Sequence, residues 1–296
     1  MKIQTVRKIT AINAVVVLVN LSLTFFGIGY ANYGESGVPL QSGTGFLYAG
    51  NEVSVTLIAL FGLAVALIQL KSFHLYLVLA VFCVGVIALN TKTALVGFAC
   101  IALVKVVFSI RRQWPWMFAL LVTATLLRTN IMSWYQDAFA ELLRRWEWFT
   151  QEYGTGTVLL GGAKRLGKIS EQSSELLANP ASMLIGNGWS GEAENNFVDL
   201  LYGFGLVGAS IFLVWLLVGP TQYFRFIGRV PLSQLVISSL SLVLLGLISL
   251  VAGHTVQSAS LSVFWALLVA LPHVILGTKQ LQGGLVSGRS LRHPPA

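Results

Sequence analysis

The stretch from Gly191 to Gly208 reads GEAENNFVDLLYGFGLVG and changes character within a few residues. Glu192, Glu194, Asn195, Asn196 and Asp199 come first, and an apolar run able to enter a bilayer follows directly. Two chemistries suit carboxylates and amides at such a mouth. One is structural: Asn196 as N-cap with Asp199 three residues on resembles a capping box, although Glu or Gln is the usual partner there. A carboxylate in that position also complements the helix dipole. The other is a functional site, because capping uses Asn196 and Asp199 but does not require Glu192 and Glu194 as well. Other ionisable groups fall at the corresponding ends of apolar runs: Glu52, Lys92, Arg128 and His254. Ionisable residues at membrane depth are functional candidates by default. Plainer roles stand beside this, since Arg128 can snorkel to the interface and His254 can cap a tight turn.

Several kinds of chemistry have no support. GxxxxGK[ST], HExxH, CxxC and GxSxG patterns are all missing, which removes the basis for nucleotide-driven or zinc-dependent reactions. The acidic residues are too scattered to propose a metal cage, so neither a metal nor a cofactor is expected. Cys83 and Cys100 both lie inside apolar runs and read as small buried hydrophobes.

The elements that must position these groups are membrane helices. The chain is 55% hydrophobic and 10% charged, with a mean hydropathy of +0.77; soluble domains carry about 25% charged residues. Apolar runs lie near 9–30, 53–70, 74–90, 93–110, 115–134, 196–218, 232–252 and 255–276; the second to fourth are short, and seven or eight are of a length to cross a hydrocarbon core. The fold class expected is an all-α polytopic membrane protein of about eight transmembrane helices, with a large outer loop containing short amphipathic helices. The net charge of +8 does not indicate nucleic acid, because the basic residues sit in short clusters between the runs. With the N-terminus in the cytoplasm, inner segments hold Lys2, Arg7, Lys8, Lys71, Arg111, Arg112, Arg225, Arg229, Lys279, Arg289 and Arg292, and no acid. That is the positive-inside pattern, and it puts both termini in the cytoplasm. The first run loosely imitates a signal peptide, but its apolar region is too long for one, and a retained helix is expected.

The chain thus divides into N-terminal helices over 1–134, an outer loop over 135–195, C-terminal helices over 196–276 and a cytoplasmic tail over 277–296. Within the loop, WYQDAFAELLRRWEWF puts Tyr135, Phe139, Leu142, Leu143 and Trp146 near one helical stripe, the pattern of an interfacial helix. A second helix is expected over 163–178, stopped by Asn179-Pro180, and GNGWSG forms a turn-rich approach to the sixth span. Arg144, Arg145, Lys164 and Arg165 in this loop are either solvated or lipid-facing cations, or a clamp. Cations at headgroup depth suit a lipid-linked diphosphate, for which Arg offers a planar fork.

At this point the residues resemble the O-antigen ligase and O-antigen polymerase family of bacterial surface polysaccharide enzymes. That family ends its large outer loop in a pattern writable as His-[Asn/Ser/Gln]-x9-Gly-x2-[Gly/Thr/Tyr]. Here Glu194-Asn195, nine residues, Gly205, two residues and Gly208 keep the spacing, with Glu standing for His. YAGNEVSVTL over 48–57, with Asn51 and Glu52, is similar to the family's Asn-containing helix entry. NTKTALVG over 90–97 resembles its segment between two central helices, and AGHTVQSAS over 252–260 its late Gly-His turn. Family members usually have ten to twelve spans, so the chain resembles either an N-terminally shortened member or one whose Met1 is a late start.

The resemblance implies polymerisation or ligation of undecaprenyl-diphosphate-linked glycan on the outer side of the bacterial cytoplasmic membrane, without a metal. Glu in place of His favours polymerase over ligase. Glu194, with Asn195 beside it, becomes the candidate general base for an acceptor hydroxyl. Arg128, Arg144, Arg145, Lys164 and Arg165 become candidates to hold the diphosphate, where cations stabilise the leaving group's charge. His254, Lys92 and Glu52 fall to supporting or acceptor-side roles, with His254 also a catalytic candidate. The implied partners are the lipid-linked donor, a glycan or lipid-linked acceptor, membrane lipid, and polysaccharide chain-length or export proteins. The alternative is a non-enzymatic transporter or assembly subunit for lipid-linked oligosaccharide. The near-purely apolar spans argue against a transport pathway.

Overall fold

A computed structural model describes residues 2–31, 43–47, 50–67, 72–89, 91, 93–108, 147, 150–151, 163–188, 196–251 and 259–289. The described chain is mostly helical, and four helices are long and apolar enough to cross a membrane: Ile3–Phe26, Gly50–Leu67, Phe197–Phe226 and Leu232–Ser249. Shorter apolar helices occupy His74–Leu89, Thr93–Phe108 and Ser262–Thr278. Helices therefore stand at seven of the eight apolar runs; the run 115–134 and the interfacial stripe at 135–146 lie outside the described residues. In chain order the helices are α1 (Ile3–Ser22), α2 (Gly50–Leu67), α3 (Ser72–Leu89), α4 (Thr93–Phe108), α5 (Ala163–Ala178), α6 (Pro180–Ile185), α7 (Asn196–Gln222), α8 (Leu232–Val251) and α9 (Ala259–Arg289). The chain separates into two compact units, one of residues 1–107, 214–249 and 255–296, the other of 108–213 and 250–254.

The expected boundaries move at several places. Helix α1 starts at Ile3, ahead of Arg7 and Lys8, tightens into a 3₁₀ turn over Leu23–Phe26 and ends at Gly27. Long basic side chains can snorkel from a membrane helix's end, so they do not mark where the helix begins. Helix α9 continues past the apolar stretch to Arg289, into residues expected as tail. After α1 a short antiparallel ribbon, β1 (Tyr30–Ala31) with β2 (Gly43–Gly45), departs from an all-α architecture. Asn20 fixes it to α1, its amide donating to the Thr44 carbonyl at 2.7 Å and its oxygen accepting from the Phe46 N–H at 2.8 Å.

In the first unit, α2 is the axis. Every residue from Val53 to Leu67 is buried. Helices α1, α3 and α9 pack on it, and glycines admit two more: Gly62 faces Ser241 of α8, while Gly97 of α4 faces Ile58. Small residues allow such close approach where helices cannot rely on hydrophobic attraction in lipid. Phe61 fills the remaining space, its ring 5.1 Å from Phe82 of α3 and 4.7 Å from Phe98 of α4. Around this axis the outer surface stays apolar, with Ile12, Val15, Val16 and Val19 of α1, Leu77, Val81 and Val84 of α3, and Leu95, Val96 and Leu103 of α4 all exposed. Contiguous apolar exposure of this extent is foreign to soluble monomers, and is what a lipid-facing wall requires.

Backbone carbonyls freed at helix ends need donors, because lipid provides none. The last carbonyls of α2 are met by three different helices. Lys105 Nζ of α4 donates to Val65 at 3.3 Å, Gln234 Nε2 of α8 to Ala66 at 3.0 Å, and Arg7 Nη2 of α1 to Leu67 at 3.0 Å. Two of the three are cations at a helix C-terminus, where the dipole favours them. Pro272 in α9 has no N–H for the Leu268 carbonyl four residues back; the Tyr223 hydroxyl donates to that oxygen instead, at 2.5 Å.

Candidate functional site

Of the residues singled out above, Glu194, Asn195, His254, Lys92, Arg128, Arg144 and Arg145 lie outside the described residues. Lys164 and Arg165 stand in the first turn of α5, with their side chains outside the described part. Glu52 is described: it occupies the first turn of α2 and is half-buried.

Glu52 belongs to the first of two stretches, 48–57 and 90–97, that meet at its neighbour Ser54. Two residues after it, Ser54 is buried and its hydroxyl lies 2.7 Å from that of Thr91. Ser54 also donates to the Gly50 carbonyl at 2.7 Å, and Thr91 accepts from the Ala94 N–H at 3.3 Å, capping α4. The hydroxyl pair thus joins the entries of α2 and α4, bringing the 48–57 and 90–97 stretches to one end of the first unit. That end is opposite the one holding Arg7, Lys105 and Gln234, which lie at the C-terminus of α2.

The second unit contains the start of α7 together with α5 and α6. Asp199 is fully buried in the first turn of α7, with Leu200 beside it. An interior carboxylate is costly unless partnered, so Asp199 is more than an exposed cap. One turn on, the Tyr202 hydroxyl donates to Glu175 Oε2 of α5 at 2.6 Å. Sequence reading missed this pair: the two residues are far apart in the chain, and no spacing signals them.

The largest departure from expectation is at Gly205. Its backbone, φ 62° and ψ −168°, interrupts α7 in a region essentially restricted to glycine. The interruption frees the carbonyls of Tyr202 and Gly203. They accept from Asn187 N–H at 2.7 Å and Gly188 N–H at 3.2 Å. A Cβ on Gly205 would collide with the backbone of Leu184 and Ile185, and one on Gly186 (φ 86°) with that of Gly203 and Phe204. The two glycines let two backbones pass in contact. Pro180 has a double part here. It ends α5 as expected, but it also opens α6, with Asn179 as N-cap accepting from the Ala181 N–H at 3.0 Å. Residues 186–188 of GNGWSG therefore pack against α7, while 189–191 lie outside the described residues.

Among the described residues no group of three His, Cys, Asp or Glu side chains is placed to hold a metal ion. Compared with protein-family models, with curated proteins and with solved structures, the chain matches none.

Proposed function

We propose that the chain is a membrane glycosyltransferase of the O-antigen polymerase and ligase type, with polymerase favoured. It acts on undecaprenyl-diphosphate-linked glycan at the outer face of the bacterial cytoplasmic membrane. The observation that carries the reading is the order of four resembling stretches along the chain, ending in Glu194-Asn195 with Gly205 and Gly208 at the family's spacing. Support also comes from the contact of two of these stretches through Ser54 and Thr91, and from Gly205 holding a conformation that only glycine takes readily.

In this reading Glu194 accepts the proton of an acceptor hydroxyl as the new glycosidic bond forms. The bond between the donor sugar and its diphosphate breaks, and the carrier diphosphate leaves with the electron pair. Arg128, Arg144, Arg145, Lys164 and Arg165 are the groups available to stabilise that charge. Both termini are cytoplasmic. Helix α4 finishes, and α8 begins, at the Arg7 end of α2. In this reading the apolar run 115–134 is a further span.

The test is Glu194→Gln in the source cell, with membrane insertion verified and surface glycan resolved by gel. Single-unit products with the long-chain ladder lost mark a polymerase. Long chains held on the carrier lipid mark a ligase. An unchanged ladder removes Glu194 from the chemistry.

A further inference from the structure

We infer that the elbow formed by α5 and α6 is a lipid-inserting element, seating Leu184 and Ile185 in the bilayer leaflet at the N-terminal end of α7. The inference rests on α7 spanning the membrane and not on the transferase reading.

Depth is the first observation. Arg225, exposed in the 3₁₀ turn that follows α7, is the first basic residue beyond its apolar stretch. It lies twenty residues after Gly205, which at about 1.5 Å per residue is roughly 30 Å, the thickness of a hydrocarbon core. With Arg225 at one boundary, Gly205 stands at the other. Leu184 and Ile185 run in backbone contact with Gly205, so α6 is held at the level where headgroups give way to acyl chains.

Surface chemistry is the second. Leu184 is 54% and Ile185 70% exposed, with Leu177 at the end of α5 exposed to 72%. The outward residues of α5 are polar: Ser170, Glu171, Ser174 and Glu175 are exposed, and Lys168 pairs with Glu171 at 3.0 Å. A polar helix turning into an apolar tip at this depth is the arrangement of an interfacial insertion. The exposed residues of α7 just before and after Gly205, Phe204, Val207 and Ile211, are apolar as well. Acyl chains are therefore the occupant favoured over a protein partner.

The experiment places single cysteines at Ile185, Ser174 and Ile211 in a background carrying Cys83→Ala and Cys100→Ala. Each carries an environment-sensitive fluorophore, in the full chain reconstituted into vesicles of phosphatidylethanolamine, phosphatidylglycerol and doxyl-labelled lipid. Blue-shifted emission at Ile185, quenched severalfold more than at Ser174 and comparably to Ile211, is the expected result. Water-like emission at Ile185 with Ile211 quenched overturns the insertion. Blue-shifted but unquenched emission at Ile185 assigns the tip to a protein contact and overturns it too. An unquenched Ile211 removes the spanning of α7, and the inference with it.

Discussion

At the scale of single residues, backbone conformation outweighs side-chain chemistry. Gly205 was legible as the glycine of a spaced pattern, but its break was not, because glycines inside membrane helices are ordinary. Replacing it should show the difference. Gly205→Ala forces alanine into a glycine-only region at about 1–3 kcal/mol, and adds a collision with the Leu184 backbone. Thermal unfolding in detergent should therefore register a loss at or above that range. Gly277→Ala in α9, where a Cβ meets nothing within 4 Å, should gain up to about 1 kcal/mol, since alanine is the better helix former. Equal effects at the two sites would mean that the break is not held in the folded protein. Asp199 teaches the same lesson from the other side. Its position suggested a cap, and only the packing around it shows a buried carboxylate.

At the scale of elements, hydropathy located helices well because the energetic demand is crude: enough apolar length to cross a core. Their ends were less legible, as the early start of α1 and the extension of α9 show. Pairings across helices were not legible at all, since Tyr223 and Leu268, or Gln234 and Ala66, have no relation in spacing. The Tyr223 bond yields a cycle with a defined sign. Tyr223→Phe leaves the Leu268 carbonyl unmet and should cost about 1–3 kcal/mol. In a Pro272→Ala background residue 272 regains an N–H for that carbonyl, so the same substitution should cost close to nothing. Chemical or thermal denaturation of the four proteins measures it. An undiminished cost in the second background would place the role of Tyr223 elsewhere than in this bond. Trp215, stacked on Trp265 with centroids 4.7 Å apart, belongs to the same seam. It lies midway along α7, far from the interfaces where tryptophan usually collects.

At the scale of the whole molecule, the basic residues proposed for the cytoplasm give a direct test of orientation. Ile28, exposed after α1, and Ile227, exposed in the turn before α8, fall on opposite sides in this reading. In a background without native cysteines, Ile28→Cys should react with an impermeant thiol reagent on intact spheroplasts. Ile227→Cys should react only after permeabilisation, and the reverse order would invert the topology. What hydropathy could not separate was the axial helix from its surroundings, because α2 is apolar on all sides, as a lone helix in lipid also is. That ambiguity has a consequence for synthesis. Two walls of α2, the helices α8 and α9, are translated long after it. Until they arrive, the surface that will face them must rest against acyl chains. An aspartate at Gly62, opposite Ser241, would be exposed to lipid throughout that interval. Its damage would fall first on the nascent chain, before the collision with α8 that the folded bundle adds.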